Sequence, residues 1–107
     1  MSIKLCEVSE MDGLFITVVG FRNVVPPVGA VLTCVKEPFN RVDDDAIRVL
    51  DEAGETVGYI ANQGSTKAGG TLSASRIYDR VGDAFRAEVC FTTRTKLICR
   101  VTETDVE

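Results

Sequence analysis

The residues best suited to chemistry crowd into one break between two apolar stretches. Asn40, Asp43, Asp44 and Asp45 fall within six consecutive positions. Val35 to Glu37 reads as the end of a strand, and Pro38 stops it because proline has no N–H for a sheet ladder. Ala46 to Leu50 returns to alternation, with Ile47 and Val49 on one face and Arg48 on the other. Between them, Asn and Asp side chains can hydrogen-bond nearby backbone and fix a turn. Three readings follow. A polar loop held by two strands presents binding groups with little mobility. The same acids could serve only to cap and solubilise a connector. Asp43, Asp44 and Asp45 could also converge on a divalent ion, as in a metal-dependent nuclease. No second carboxylate cluster with metal-site spacing accompanies them, although Asp51 and Glu52 are close in sequence.

The rest of the composition narrows the chemistry. The 107-residue chain contains no histidine, so Ser-His and Cys-His nucleophile pairs and most imidazole acid/base schemes are excluded. Four cysteines, Cys6, Cys34, Cys90 and Cys99, include no C-x-x-C pair. A zinc site would need thiolates from four separate segments, so buried reduced thiols are expected. Asn62 to Gly70 is glycine-rich with one lysine, Lys67, but lacks the Gly-x-x-x-x-Gly-Lys-Ser/Thr order of a phosphate loop and reads as a mobile loop. No metal, cofactor or catalytic residue is predicted. Net charge is −4, unfavourable for nonspecific polyanion binding, yet it is unevenly spread. Met1 to Tyr59 holds 5 basic and 10 acidic residues, whereas Ile60 to Thr102 holds 7 basic and 3 acidic. A basic second half permits a local anion-binding patch, or only scattered solvated charges.

The elements that must position these residues are mostly strands. Leu14 to Phe21 is apolar on both faces, as in a strand covered on both sides. Ala30 to Lys36, Ala46 to Leu50 and Thr56 to Ala61 follow, the last two joined by the turn Asp51-Glu52-Ala53-Gly54. Gly20 and Gly58 inside strands imply a bulge or a close backbone approach. Thr71 to Val81 reads as the main helix, capped by Thr71 or Ser73 and stopped by Gly82, with Ala74, Ile77, Tyr78 and Val81 on its apolar face. Phe85, Ala87, Val89 and Phe91 should point inward from a fifth strand, and Leu97, Cys99 and Val101 from a sixth. Ile3, Leu5 and Val8 could add an edge strand, and the acidic tail beyond Glu103 should fray. The sum is a single domain over 1–107, with a core of about 14–103, mainly β with one main helix. A small six-stranded OB-like or SH3-like barrel is the expected architecture. No apolar run reaches the ~20 residues of a membrane span, and the start lacks a signal-peptide core, which predicts a cytoplasmic chain.

Glu37-Pro38-x-Asn40-x-x-Asp43-x-x-Ala46-Ile47-x-Val49, followed by Val57-Gly58-Tyr59-Ile60, resembles the HIRAN domain. Phe15-x-Thr17-x-Val19-Gly20-Phe21-Arg22 is similar to that family's opening strand. Ser73-Ala74-x-Arg76-Ile77-Tyr78-Asp79 and Ala87-Glu88-Val89 are similar to its small stand-alone bacterial branch, and more distant members sit at the N-terminus of fork-remodelling ATPases. The resemblance spans roughly Leu14 to Glu103. It implies an OB-like barrel and, from the DNA-binding members, nonenzymatic recognition of a single-stranded DNA 3′ end, with a place in DNA repair. Arg22 then matches an arginine that pairs with phosphate. Asn40 and Asp43 match the Asn and Asp of the central loop, Asp43 being the candidate acceptor for the 3′-hydroxyl. Tyr59 matches a ring that contacts backbone or base, and Lys67 is the nearest positive charge to a basic position occupied here by Asn62.

Two family tyrosines are replaced, by Asn23 and Val42. A stacking ring contributes ~1–3 kcal/mol per base, so their loss could weaken binding by ~10²-fold or more. Phe39, beside Asn40, could substitute for one. The alternative is a protein-interaction or adaptor module that keeps the barrel without DNA binding. The chain carries no ATPase motif, so any remodelling would need a protein partner to supply the motor.

Overall fold

The alternating stretches close on themselves. A computed structural model describes residues 14–21, 25–43, 45–62, 68 and 70–105. The elements are β1 (Phe15–Val19), β2 (Val31–Lys36), β3 (Ile47–Leu50), β4 (Thr56–Ile60), α1 (Ala74–Tyr78), β5 (Ala84–Thr92) and β6 (Leu97–Glu103). The strands form a closed barrel in the order β1-β4-β3-β2-β5-β6, with every neighbouring pair antiparallel. Closure removes the unpaired edges that an open sheet of this size would expose. The predicted mainly-β barrel is therefore the observed fold. The edge strand expected at Ile3, Leu5 and Val8 lies outside the described residues. Among the described residues no helix is long and apolar enough to cross a membrane.

Inward positions follow the two-residue period of a strand. Ile16 and Val18, Leu32 and Cys34, Ile47 and Val49, Phe85, Ala87 and Val89, and Leu97 and Cys99 are all buried in one core. Cys34 and Cys99 are free thiols, both fully buried. The β3–β4 turn forms as its residues require. The Asp51 N–H donates to the Glu55 carbonyl at 2.9 Å, and Gly54 takes φ +85°, a conformation that side chains disfavour. Gly58 answers the expectation of close approach, since a Cβ there would collide with the Val19 carbonyl on β1.

The segment after β4 completes the barrel wall. Thr17 is fully buried although it points away from the core, because Ala68, Thr71 and Leu72 cover it. The Ala68 N–H donates to Thr17 Oγ1 at 3.1 Å, and the Thr71 hydroxyl donates to the Ala68 carbonyl at 2.8 Å. The two threonine oxygens are 2.8 Å apart, so the remaining proton, that of Thr17, closes a three-bond ring. This is the covered second face that the all-apolar pattern of β1 predicted.

Two expectations are corrected. The helix is shorter than Thr71–Val81. Thr71 is held in the ring with Thr17, Ser73 is the N-cap, accepting from the Arg76 N–H, and the helix ends at the C-cap Asp79, before Gly82. Phe91 does not point inward and is 59% exposed. A register shift between Val89 and Phe91 places an extra residue in β5, which reverses the facing of everything beyond it. Past Glu103, the Gly82 N–H donates to the Thr104 carbonyl at 2.7 Å and ties that residue to the turn after α1.

Candidate nucleic-acid interface

The loop from Glu37 to Ala46 is built from its own side chains. Its stems are closed by the Glu37 N–H donating to the Ala46 carbonyl at 2.9 Å. Asn40 Oδ1 accepts from the N–H groups of Val42 at 2.9 Å and Asp43 at 3.0 Å, and Asn40 Nδ2 donates to Glu37 Oε1 at 3.0 Å. Asp43 Oδ1 accepts from the Asp45 N–H at 2.9 Å. These short-range bonds are the side-chain-to-backbone pattern for which Asn and Asp are selected in turns.

Longer bonds fix that loop to the barrel and the helix. Asp43 Oδ2 accepts from Asn62 Nδ2 at 3.0 Å, just after β4. Asn62 Oδ1 accepts from the Ser75 N–H at 2.9 Å, and the Ser75 hydroxyl donates to Asp45 Oδ2 at 2.7 Å. At the other stem, Lys36 Nζ lies 4.2 Å from the centre of the Tyr78 ring and donates to the Val81 carbonyl at 2.8 Å. Both ends of the loop are thus tied to α1 or the turn that follows it. Tyr78 is packed against the core beneath Lys36, the packing role expected for a Tyr at helical spacing.

Glu37 joins the loop to the outer wall. Its carboxylate accepts from Arg48 Nε at 2.7 Å and from Arg48 Nη2, and Arg48 is paired across the sheet with Tyr59. The Asn40 amide foremost, with the Arg48 guanidinium and the Tyr59 hydroxyl, holds the Glu37 carboxyl below its ordinary range, against the opposing effect of burial. Tyr59 is 37% exposed.

Three of the five sequence-predicted residues fall on this network: Asn40 and Asp43 in the loop, and Tyr59 opposite Arg48, which binds Glu37. Arg22 and Lys67 lie outside the described residues. Asn40 positions the loop, its oxygen already occupied by two backbone donors. Asp43 gives one bond direction on each oxygen to the protein, and an ionised carboxylate has about four acceptor sites. Each oxygen can still accept from a ligand hydroxyl. Among the described residues no group of three His, Cys, Asp or Glu side chains is placed to hold a metal ion. Asp43 and Asp45 turn oxygens toward amide and hydroxyl donors instead.

The loop presents apolar groups outward. Phe39 is 93% exposed and Val42 is 94% exposed. Phe39 borders a shallow depression that Lys36, Glu37, Pro38 and Asn40 also line. Arg41 and Arg76 are exposed, and neither is in a salt bridge among the described residues. Sequence reasoning did not single out Ser75, Asn62 as a loop tether, or Arg41 and Arg76. Their neighbours are set by the fold and not by local spacing.

No protein-family model matches this sequence, and no curated protein matches it. Among solved structures the chain is similar to the crystal structure of the HIRAN domain of human HLTF. The TM-score is 0.55 at 21% sequence identity, over 83% of this chain and 74% of that one. The chain has the fold of a HIRAN domain.

Proposed function

We propose that this barrel is a nonenzymatic module that binds single-stranded DNA at its 3′ end, as the family resemblance implies. The observation that carries the reading is the pinned loop. Asn40, Asp43, Asn62 and Ser75 hold it rigid, and it exposes Phe39 and Val42 almost completely. Nothing in the barrel packing requires a phenylalanine there. A base has an apolar face for Phe39 to stack on. Asp43 can accept a hydrogen bond from a 3′-hydroxyl, whereas a 3′-phosphate beside it places like charges together. Arg41 and Arg76 are free to pair with backbone phosphates. An acidic carboxylate thus selects the end while arginines and the ring supply affinity. The DNA repair setting and any motor-bearing protein partner belong to the same proposal.

The test is fluorescence anisotropy of a labelled single strand with a free 3′-hydroxyl, against the same strand ending in 3′-phosphate, at low salt. The expected result is tighter binding of the hydroxyl end, with the preference lost in Asp43→Ala and overall affinity reduced in Phe39→Ala. Equal weak binding of both ends, falling steeply with salt, would reduce the site to a basic patch. No binding by folded protein would remove DNA from the account.

A further inference from the structure

A second surface lies at the other end of the barrel. β2 runs from Val31 toward the pinned loop and β3 runs back from it to Leu50, so the segments before β2 and after β3 meet far from Asn40 and Asp43. There they form a cleft of about 640 Å³ lined by Pro26, Pro27, Val28, Val31, Asp51 and Glu52, among others. Val28 is 62% exposed and Val31 is 41% exposed. The Gly29 N–H donates to the Val89 carbonyl at 2.7 Å and sets the Pro26–Gly29 loop against β5. The cleft is preformed. Two prolines stiffen one wall, and the Ala30 N–H donates back to the Pro27 carbonyl at 3.0 Å.

Its charge has one sign. Asp51 and Glu52 line it and Glu55 follows in the same turn, yet none is in an ion pair among the described residues, and no Lys or Arg lines the cleft. Asp51 Oδ1 is used by the turn, accepting from the N–H groups of Ala53 and Glu55 at 2.9 Å. Among the described residues the carboxylates of Glu52 and Glu55 accept no hydrogen bond of this kind. An exposed apolar cleft beside uncompensated carboxylates fits an apolar side chain flanked by cations.

We propose that this cleft docks a basic peptide segment of a partner protein, an apolar residue entering between Pro27 and Val31 with Lys or Arg neighbours against Glu52 and Glu55. Charge disfavours the other occupants. A second copy in a two-fold arrangement would face its own acidic turn. Residues 1–13 of this chain carry one lysine and three acids. This surface is separate from the DNA-end site, so one barrel could hold a strand and a protein together.

The experiment is selection of a random peptide display library on the immobilised full chain, followed by anisotropy titration of the most enriched synthetic peptide. Enriched peptides are expected to share an apolar residue with adjacent Lys or Arg. Binding should fall at least tenfold in Val28→Asp and in Glu52→Lys, and remain unchanged in Phe39→Ala. Both altered residues are exposed, and an unshifted melting temperature confirms that the variants fold. Absence of enrichment, enrichment of acidic peptides, or binding indifferent to Val28→Asp overturns the proposal. So does a concentration-dependent dimer, seen by sedimentation, that Val28→Asp disperses, because that result assigns the cleft to a second copy.

Discussion

Phe39 and Asp43 sit four positions apart and are held for opposite reasons. Asp43 is bound into the loop by two donors, while the Phe39 side chain is 93% exposed. Phe39→Ala should therefore leave the melting temperature almost unchanged, since exposed substitutions shift stability by about ±0.5 kcal/mol or less. It should weaken single-strand binding by ~1–3 kcal/mol, roughly 5- to 150-fold, measured by anisotropy. A parallel loss of stability would mean that the ring is structural. Val42 occupies a place where the DNA-binding members that the sequence resembles carry a tyrosine, and it is 94% exposed. Val42→Tyr adds a ring where space is open and should tighten binding by about tenfold or more. An unchanged affinity would show that the strand does not pass over Val42. At this scale the sequence was informative about Asn40 and Asp43, because Asn and Asp hydrogen-bond to backbone two or three residues away. It was silent about the Asp43–Asn62 and Asp45–Ser75 bonds. Those partners are 19 and 30 residues apart and meet only after the barrel has closed.

The strands were legible as elements because burial on one face imposes a period of two, and β2, β3, β5 and β6 show it in their buried residues. Phe91 was misread because a bulge changes the phase without changing the composition. The helix was overextended because Thr71 and Leu72 suit a helical first turn, yet each has a stronger use: Thr71 in the buried ring and Leu72 bridged to Ile16 on β1. That ring carries a prediction about the wall segment. Thr17→Val keeps the shape but strips partners from the Ala68 N–H and the Thr71 oxygen. A buried polar group left unsatisfied costs about 1–3 kcal/mol, a fall of roughly 5–15 °C in melting temperature for a domain of this size. Thr17→Ser retains the hydroxyl and should recover most of that loss in differential scanning calorimetry. If Val and Ser melt alike, the methyl packing of Thr17, and not its hydroxyl, secures Ala68 and Thr71.

Across the whole molecule, two kinds of titrating group bound the pH range of the fold. Glu37 titrates below its ordinary range because Asn40, Arg48 and Tyr59 favour its charged form. Its contribution is present above the unfolded glutamate pKa and is lost as pH falls through the lower folded value. Glu37→Gln should remove that part of the acid-side loss. The thiols act on the alkaline side. Burial inside the barrel raises the Cys34 pKa far above its ordinary value, with Cys99 adding to the effect, and burial pushes Cys99 up to about 12, with Cys90 adding to it. In the unfolded chain both ionise near pH 8.5–9. Below that pH their contribution is complete. As pH rises toward about 12 the unfolded state loses protons that the native barrel keeps, so stability falls by about 1.4 kcal/mol per pH unit for each thiol. Urea unfolding from pH 8 to 11 should show this slope, and Cys34→Ala should reduce it by one proton while also lowering stability at pH 7 through lost packing. An identical alkaline slope in Cys34→Ala would mean that the thiol ionises as readily in the folded chain as in the unfolded one. The barrel interior would then be open to water at Cys34, and the tight closure of β2 against β3 and β5 would be wrong.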